Sequence, residues 1–190
     1  MSDVSSILSS SEAYYDPSQD VPSIVPEGMY KAYATKLNER EVIVRSQYVA
    51  DVFNIEFEIA DENKGESVEI DGKAVDKSAF SGKKVSSKGF FRFKKPDPQN
   101  PLHDGLEMNT KSNKSYMELL NSFSIETEED KDGRYFLPHI NESDIEGRPV
   151  VLEIVHEHWT STEGNDMVTP KAKSIYEWEG QAKKKEEVPF

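Results

Sequence analysis

The most regular alternation of apolar and polar residues lies at positions 53–59. One face of this segment carries only large apolar side chains: Phe53, Ile55, Phe57 and Ile59. The residues between them are polar: Asn54, Glu56 and Glu58. Because successive side chains of a strand point to opposite faces, this pattern predicts an antiparallel strand with one buried face and one solvated face.

Four other segments have the aromatic and branched residues that are typical of β-strands. Residues 28–37 form the first of them, and residues 41–45 either continue it past a bend or form a short strand of their own. Residues 83–95 are the predicted third strand, which ends at a run of prolines. Residues 150–159 and 168–178 are predicted to pair as a hairpin, with turn residues between them.

Two long polar segments separate these strands. Residues 61–81 predict either a long loop or an inserted hairpin, for which Asp71 and Gly72 provide a turn signal. Residues 96–112 contain three prolines and predict a second long loop. The sequence indicates no role for either segment.

Helical spacing of apolar residues predicts one helix, at residues 115–123, with Ser112 or Asn113 as its N-cap. Three strands, one helix and two strands follow one another in the chain order of an OB-fold. We therefore predict a mainly β fold, a five-stranded OB-fold-like Greek-key barrel with one helix between strands three and four. Other small barrels have the same number of elements.

The predicted barrel is flanked by two polar segments. Residues 1–26 are rich in Ser, Asp and Pro and are interpreted as an N-terminal arm. Residues 27–179 make up the barrel domain. Residues 180–190 are interpreted as a flexible C-terminal tail that ends in Val-Pro-Phe.

Charge is distributed unevenly along the chain. The 190 residues carry a formal net charge of −13, which argues against a protein that coats duplex DNA through a general positive field. Residues 83–95, however, contain six basic residues and no acidic residue. A local cationic groove on an acidic body is better suited to a thin, flexible strand than to a wide duplex.

Several classes of protein are disfavoured by composition. The chain contains no cysteine, which excludes disulfides, thiolate metal sites and cysteine nucleophiles. Its first residues lack the basic and apolar regions of a signal peptide, and no apolar segment approaches the roughly 20 residues that span a bilayer. We therefore expect a soluble, cytoplasmic protein without a membrane partner.

Catalytic and metal-binding motifs are weak. His156 and His158 alternate around Glu157, but no third ligand occurs at a sequence spacing that is typical of a metal site. We therefore favour the interpretation that they are surface histidines. The chain shows no phosphate-binding glycine loop, nucleophile elbow or calcium-loop spacing. We expect a non-enzymatic protein with no metal and no cofactor.

The third strand has the pattern most typical of a binding site. Alternation places Phe91 and Phe93 on one face, with Gly89 permitting close approach. The opposite face alternates cations with an aromatic ring: Lys88, Phe90, Arg92 and Lys94. Rings on which bases stack, interleaved with cations that follow phosphates, are typical of single-stranded nucleic-acid binding. The alternative is a solvated outer face with one stray aromatic residue.

Residues on neighbouring segments extend this predicted site. Lys95 ends the third strand, two candidates share a face of the first strand, and two lie near the bend that follows it. Trp159 lies at the mouth of the final hairpin, where an OB-fold closes over its ligand. For each residue of these neighbouring segments the alternative is an ordinary packing or surface position. The complete set of predicted DNA-binding residues is Lys31, Tyr33, Arg45, Tyr48, Lys88, Phe90, Arg92, Lys94, Lys95 and Trp159.

Short motifs over residues 25–178 resemble the bacteriophage single-stranded DNA-binding proteins of OB-fold type. They are Val-Pro-Glu-Gly-Met-Tyr at 25–30, the 53–59 strand, Gly-Lys-Lys-Val at 82–85, the 115–123 helix and Ile-Glu-Gly-Arg-Pro-Val at 145–150. The resemblance implies that the face with Lys88, Phe90, Arg92 and Lys94 holds DNA. It also implies that the protein acts in the cytoplasm of an infected host cell.

The C-terminal residues resemble the tip of bacterial single-stranded DNA-binding proteins, which recruits replication and repair enzymes. The residues that carry the resemblance are Glu186, Glu187, Val188, Pro189 and Phe190. Recruitment of replication or recombination proteins would then depend on the terminal ring and carboxylate. Three consecutive lysines at 183–185 depart from the acidic tails of the phage family, which argues against electrostatic competition between tail and DNA.

The favoured function is therefore a protein that coats and protects single-stranded DNA in phage replication, recombination or repair. The alternative is an acidic β-barrel protein-interaction or virion-structural module, in which the basic strand docks a protein. An acidic mimic of nucleic acid is a third candidate, which the cationic strand disfavours. The sequence leaves open whether the chain forms a homodimer.

Overall fold

The computed structural model describes residues 23–44, 48–94 and 113–178. Its strands are β1 (Gly28–Val44), β2 (Tyr48–Ile59), β3 (Ser67–Ile70), β4 (Lys73–Asp76), β5 (Lys84–Ser87), β6 (Phe90–Phe93), β7 (Glu128–Glu129), β8 (Tyr135–Phe136), β9 (Pro149–Thr160) and β10 (Asp166–Glu177). Its α-helices are α1 (Lys114–Ser122) and α2 (Glu142–Ile145). The predicted arm, up to residue 22, and the predicted tail, from residue 180, lie outside the described residues.

The main sheet closes on itself as a barrel. Strand β1 pairs with β2 on one side and with β9 on the other, and β9 pairs with β10. Strand β5 closes the circle, because it pairs antiparallel with β2 and parallel with β10. The predicted mainly β fold with a five-strand barrel is confirmed, and this closure is consistent with an OB-like barrel.

Strand β1 is one continuous strand, so the alternative in which residues 41–45 continue the first strand is correct up to Val44. Its pairing with β2 shifts register between Ala34 and Lys36. Such a bulge bends a strand and increases its twist, which a small barrel requires. Residues 28–33 of β1 pair with β9 and residues 32–44 pair with β2, so the strand passes from one neighbour to the other just before the bulge.

The barrel interior is built from the alternation that the sequence shows most clearly. The predicted inward side chains of β2 are at most 1% exposed: Phe53, Ile55, Phe57 and Ile59. Helix α1 covers one end of the core, where the ring of Tyr116 stacks on Phe53 with centroids 5.2 Å apart. Burying each of these large side chains contributes about 1.5–3 kcal/mol to folding, before conformational entropy is subtracted.

The segment after β2 is an inserted hairpin rather than a loop. Strands β3 and β4 pair antiparallel around Asp71 and Gly72, whose φ angles are 50° and 76°. Two consecutive positive φ angles give a type I′ turn, which Asp-Gly favours. Two short 3-10 helices, Asp61–Asn63 and Lys77–Phe80, connect the hairpin to the barrel. Together, residues 61–80 form what we call the insertion.

A second small hairpin occupies the acidic segment after α1, which the sequence had not indicated. Strands β7 and β8 pair through Glu128 with Phe136 and Glu129 with Tyr135. Gly133, at φ 74°, lies in the turn between them.

Among the described residues, no helix has both the length and the apolar character needed to cross a bilayer.

Candidate nucleic-acid interface

Strand β6 presents the opposite face to solvent from the one predicted. Phe90 is 8% exposed and belongs to the barrel core, so the prediction that its ring lies on the open face is wrong. The register explains this result, because Phe90 lies directly opposite Phe53 of β2. Residues directly opposite each other on paired strands point to the same face, and Phe53 points inward.

Arg92 and Lys94 share this inward face near the end of the barrel, where both are ion-paired. Arg92 lies opposite Asp51 in the register, and its Nη1 is 3.1 Å from Asp51 Oδ2. Its Nε also donates to the carbonyl oxygen of Leu137 at 3.0 Å. Lys94 Nζ lies 2.8 Å from Asp51 Oδ1 and 2.5 Å from Glu41 Oε2. These two cations are therefore neutralised within the protein.

The pKa of Lys94 reflects these contacts. Partial burial by itself lowers the pKa of the amine, but the hydrogen bonds to Asp51 and Glu41 outweigh it and raise the pKa above its ordinary value. Asp51 is 4% exposed, so it is a buried anion between two cations. Binding a phosphate at Arg92 or Lys94 would draw one of the two counter-ions away from this buried anion, which is costly.

Three aromatic rings are in contact where the outward face of β6 meets the start of β2, and we call them the ring cluster: Tyr48, Phe91 and Phe93. All three are half-buried. The Phe91 and Phe93 rings are nearly parallel, with centroids 6.0 Å apart and planes inclined by 19°. The Tyr48 ring meets Phe93 edge-on at 6.2 Å. The ring cluster therefore contains Tyr48, which was predicted, and two rings that the sequence had placed on the other face.

Gly89 allows the chain to cross the outside of β2 just before the ring cluster. A Cβ atom at this position would lie 2.7 Å from Val52 Cγ1 and 3.3 Å from Asn54 Oδ1. Both neighbours belong to the outward face of β2, so any larger residue would push β6 away from it. Gly89 thus fixes which face of the following strand turns outward.

Two cations flank the ring cluster without a partner for their side chains in the described part of the chain. Arg40 shares the outward face, because it lies opposite Val52, which in turn lies opposite Phe91. Lys88 precedes Gly89, and its backbone N–H donates to the carbonyl of Ala172. Both residues are exposed, and neither is ion-paired within these ranges. Lys88 was predicted, whereas Arg40 was missed.

Lys31 and Tyr33 hold the insertion against β1 instead of facing open solvent. Lys31 Nζ lies 2.8 Å from Glu66 Oε1, and the Tyr33 hydroxyl donates to Glu62 Oε1 at 2.8 Å. Tyr33 is only 7% exposed, which corrects its prediction as a surface contact for DNA. Burial and the hydrogen bond with Glu62 raise its pKa to about 12.

Asn63 fixes the insertion to the same strand. Its side chain accepts a hydrogen bond from the Lys31 N–H and donates one to the Lys31 carbonyl, both at 2.8 Å. This pair of bonds satisfies the backbone of β1 where the insertion covers it. The insertion therefore removes the outward face of β1 near Lys31 from the candidate interface.

Trp159 lies on the exposed part of the β9–β10 hairpin. It is 48% exposed, and its Nε1 donates to Thr169 Oγ1 at 3.0 Å. Met167 lies directly opposite it and is 42% exposed. The hydrogen bond holds the indole in one orientation, so Trp159 remains an available ring next to the barrel.

A cleft of about 360 Å³ opens between β6 and β8. We call it the β6–β8 cleft. Its lining consists of Arg92, Phe93, Lys94, Asn113, Tyr135, Phe136 and Leu137. Phe93 thus belongs both to the ring cluster and to the wall of this cleft.

Potential metal ligands are engaged in other contacts. Glu39, Asp51 and His139 place one ligand atom each within 4.8 Å of one another, but both oxygens of Asp51 already face Arg92 and Lys94. Cations at that distance oppose the binding of a metal ion. The ring of His156 contacts the carbonyl oxygen of Val25 at 2.9 Å.

The remaining predicted residues lie outside the described residues. They are Arg45, Lys95, Glu186, Glu187, Val188, Pro189 and Phe190.

No protein-family model and no curated protein matches the chain.

Proposed function

We propose that this chain is a non-enzymatic single-stranded DNA-binding protein with an OB-fold, which coats unpaired DNA in phage replication or recombination. The ring cluster is the observation that supports this function best. Three rings in contact on the outward face of a small barrel offer a platform on which bases stack. The barrel closure, with β5 parallel to β10, supports the OB-fold assignment.

The proposed DNA path differs from the one that the sequence indicated. Bases stack on Tyr48, Phe91 and Phe93, and phosphates meet the exposed cations Arg40 and Lys88. Trp159, on the β9–β10 hairpin, supplies a further ring. Because the bases are held by stacking, binding is largely tolerant of sequence.

Discrimination against duplex DNA follows from charge and shape. The chain carries a net charge of −13, so a wide duplex meets repulsion outside the interface. A single strand needs only a narrow path along the rings and the free cations. Stacking also requires unpaired bases with open faces, which a duplex does not present.

The C-terminal residues supply the second part of the proposal. The ring of Phe190 recruits a replication or recombination protein by filling a small pocket on that protein. Deleting residues 188–190 should leave oligonucleotide affinity unchanged and abolish co-purification with that partner. Equal recovery of the partner by the full-length and shortened chains would contradict this part of the proposal.

A second candidate function is an acidic protein-interaction or virion-structural module. The observation that favours it is the neutralisation of Arg92 and Lys94 by Asp51 and Glu41, which removes two of the six basic residues of the 83–95 segment from phosphate binding. Such a module would retain the barrel and lack affinity for oligonucleotides.

Direct competition between nucleic acids tests the main proposal. A labelled oligo(dT) is titrated with the full chain, and unlabelled poly(dT) or duplex of equal length is added as competitor. We expect poly(dT) to compete at much lower concentration than duplex, with affinity that falls as salt rises. If the full chain does not bind labelled oligo(dT) even at low salt, the result would favour the protein-interaction module.

A further inference from the structure

The β6–β8 cleft continues the ring cluster around the edge of β6. Phe93 contributes to both, so a strand that stacks on the ring cluster arrives at the mouth of the cleft. The cleft volume of about 360 Å³ falls within the ~300–1,000 Å³ range of small-ligand pockets. The far wall is formed by β8, whose residues Tyr135 and Phe136 are 50% and 64% exposed.

The near wall of the cleft is formed by Phe93, whose backbone is held by Asn113. Asn113 precedes helix α1, but its side chain makes no capping hydrogen bond to the helix. Instead, its Oδ1 accepts from the Phe93 N–H at 2.8 Å, and its Nδ2 donates to the Phe93 carbonyl at 3.3 Å. These bonds hold the backbone of Phe93 at the free edge of β6. With this backbone held and its ring in contact with Tyr48 and Phe91, Phe93 presents a supported surface at the entrance to the cleft.

Charge around the cleft favours an uncharged occupant. Arg92 and Lys94 line one side, but Asp51 and Glu41 neutralise them. On the other side, Glu128 and Glu129 of β7 pair with Phe136 and Tyr135 in the register, so they add negative charge next to the far wall without lining the cleft. A phosphate in the cleft would find no unpaired cation among the lining residues, whereas a nucleobase is neutral, planar and able to stack on exposed rings.

We infer that the β6–β8 cleft is a base-binding pocket, in which one unpaired base inserts against Tyr135 or Phe136 while its neighbours stack on the ring cluster. This inference rests on the proposed function. It assigns to the β7–β8 hairpin a part in holding the strand. The phosphates that flank the inserted base stay outside the cleft.

Substitution of the far wall tests the inference. The double variant Tyr135→Leu/Phe136→Leu keeps apolar side chains on β8 and removes both rings. We expect it to bind oligo(dT) about 5- to 100-fold more weakly than the unchanged chain, as loss of base stacking predicts. The matched control is Tyr176→Leu, which removes a tyrosine of similar exposure, 47%, from outside the cleft and should leave affinity unchanged.

Photocrosslinking gives a second measurement that does not depend on how the variants fold. The full chain is irradiated with oligo(dT) that carries a single 5-bromodeoxyuridine, and the crosslinked peptide is identified by mass spectrometry. We expect a crosslink to Tyr135 or Phe136. Crosslinks to the ring cluster alone, together with an unchanged affinity of the folded double variant, would overturn the inference.

The two proposals fail in different ways. If the full chain does not bind oligo(dT), the proposed function fails, and the inference fails with it. If the full chain binds and a Phe91→Leu/Phe93→Leu variant binds weakly, while the β8 variant binds normally, only the base pocket is excluded. In that case the exposed rings of β8 become candidates for contact with a protein.

Discussion

The two faces of strand β6 carry similar side chains in different surroundings. The inward face has one ring and two cations, but the ring is packed in the core and the cations are paired with Asp51. The outward face has two rings, and its neighbours Arg40 and Lys88 lie exposed and unpaired within the described ranges. The type of a residue is thus a poor guide to whether its side chain is available to bind a ligand. The partner across the sheet decides whether a ring or a cation faces a ligand.

The largest expected effect is the difference in stability between a variant of the inward face of β6 and a variant of its outward face. Phe90→Ala should lower the free energy of unfolding by about 3–5 kcal/mol, because it leaves a cavity beside Phe53 in the core. Phe91→Ala, on the half-buried outward face, should cost considerably less. Urea denaturation followed by circular dichroism measures both. Equal losses for the two variants would show that the faces have been assigned wrongly.

The next effect concerns the paired cations. Asp51→Asn removes the buried anion that faces Arg92 and Lys94, and should destabilise the protein by about 2 kcal/mol, less than for a fully buried pair. The control is Glu56→Gln, whose partner Lys84 has a side chain that is 60% exposed, so thermal unfolding should hardly change. Unchanged stability of Asp51→Asn would mean that Asp51 does not hold these cations in place.

Substitution of the unpaired cations should change the salt dependence of DNA affinity rather than the stability of the protein. Arg40→Gln and Lys88→Gln should each reduce the slope of log affinity for oligo(dT) against log salt by about 0.7, the single-strand value per phosphate contact. Lys114→Gln, on an exposed lysine of α1, is the control. Fluorescence anisotropy between low and moderate salt gives the slopes. Three equal slopes would remove Arg40 and Lys88 from the interface.

The smallest expected effect concerns the insertion that covers β1. Hydrogen bonds from Lys31 and Lys77 lower the pKa of Glu66 below its ordinary value of 4.5. The stability from this carboxylate is therefore complete above about pH 4.5 and is lost as pH falls through the lowered pKa. The melting temperature of Glu66→Gln should be lower than that of the unchanged chain at pH 7, and the difference should shrink by pH 3.

The control for this effect is another carboxylate of the insertion. Glu69 is exposed, and the described residues give its side chain no partner. Glu69→Gln should have the same melting temperature as the unchanged chain at both pH values. A pH-independent difference for Glu66→Gln would show that its ion pairs with Lys31 and Lys77 do not hold the insertion.

Local patterns in the sequence were sufficient for much of the barrel. The alternation at Phe53 to Ile59 identified the core face of β2, and Asp71-Gly72 correctly indicated a hairpin as one of two alternatives. Both features depend on residues close together in the chain. Strand periodicity and turn chemistry therefore carry them without tertiary information.

The orientation of β6 was beyond this kind of reasoning. Phenylalanines occupy both faces of the strand, so alternation allows two orientations. The register with β2 and the contact of Gly89 with Val52 select between them, and both link residues that are more than 30 positions apart. The pairing of Asp51 with Arg92 has the same origin, since it follows from the register alone.

Tyr135 and Phe136 were missed for another reason. Each strand of their hairpin has only two residues, which is too short for any periodicity. Gly133 was a turn signal, and two aromatic residues followed it in an acidic segment. That combination was the available indication of an exposed aromatic hairpin.

The outward face of β6 as the DNA-binding surface is tested most directly by oligo(dT) affinity at low salt. Phe91→Leu/Phe93→Leu keeps apolar bulk and removes two stacking rings, and we expect it to bind at least about tenfold more weakly. Phe90→Leu, on the inward face, should bind like the unchanged chain as long as it remains folded. Normal binding by the double variant, or weaker binding by folded Phe90→Leu, would contradict the account.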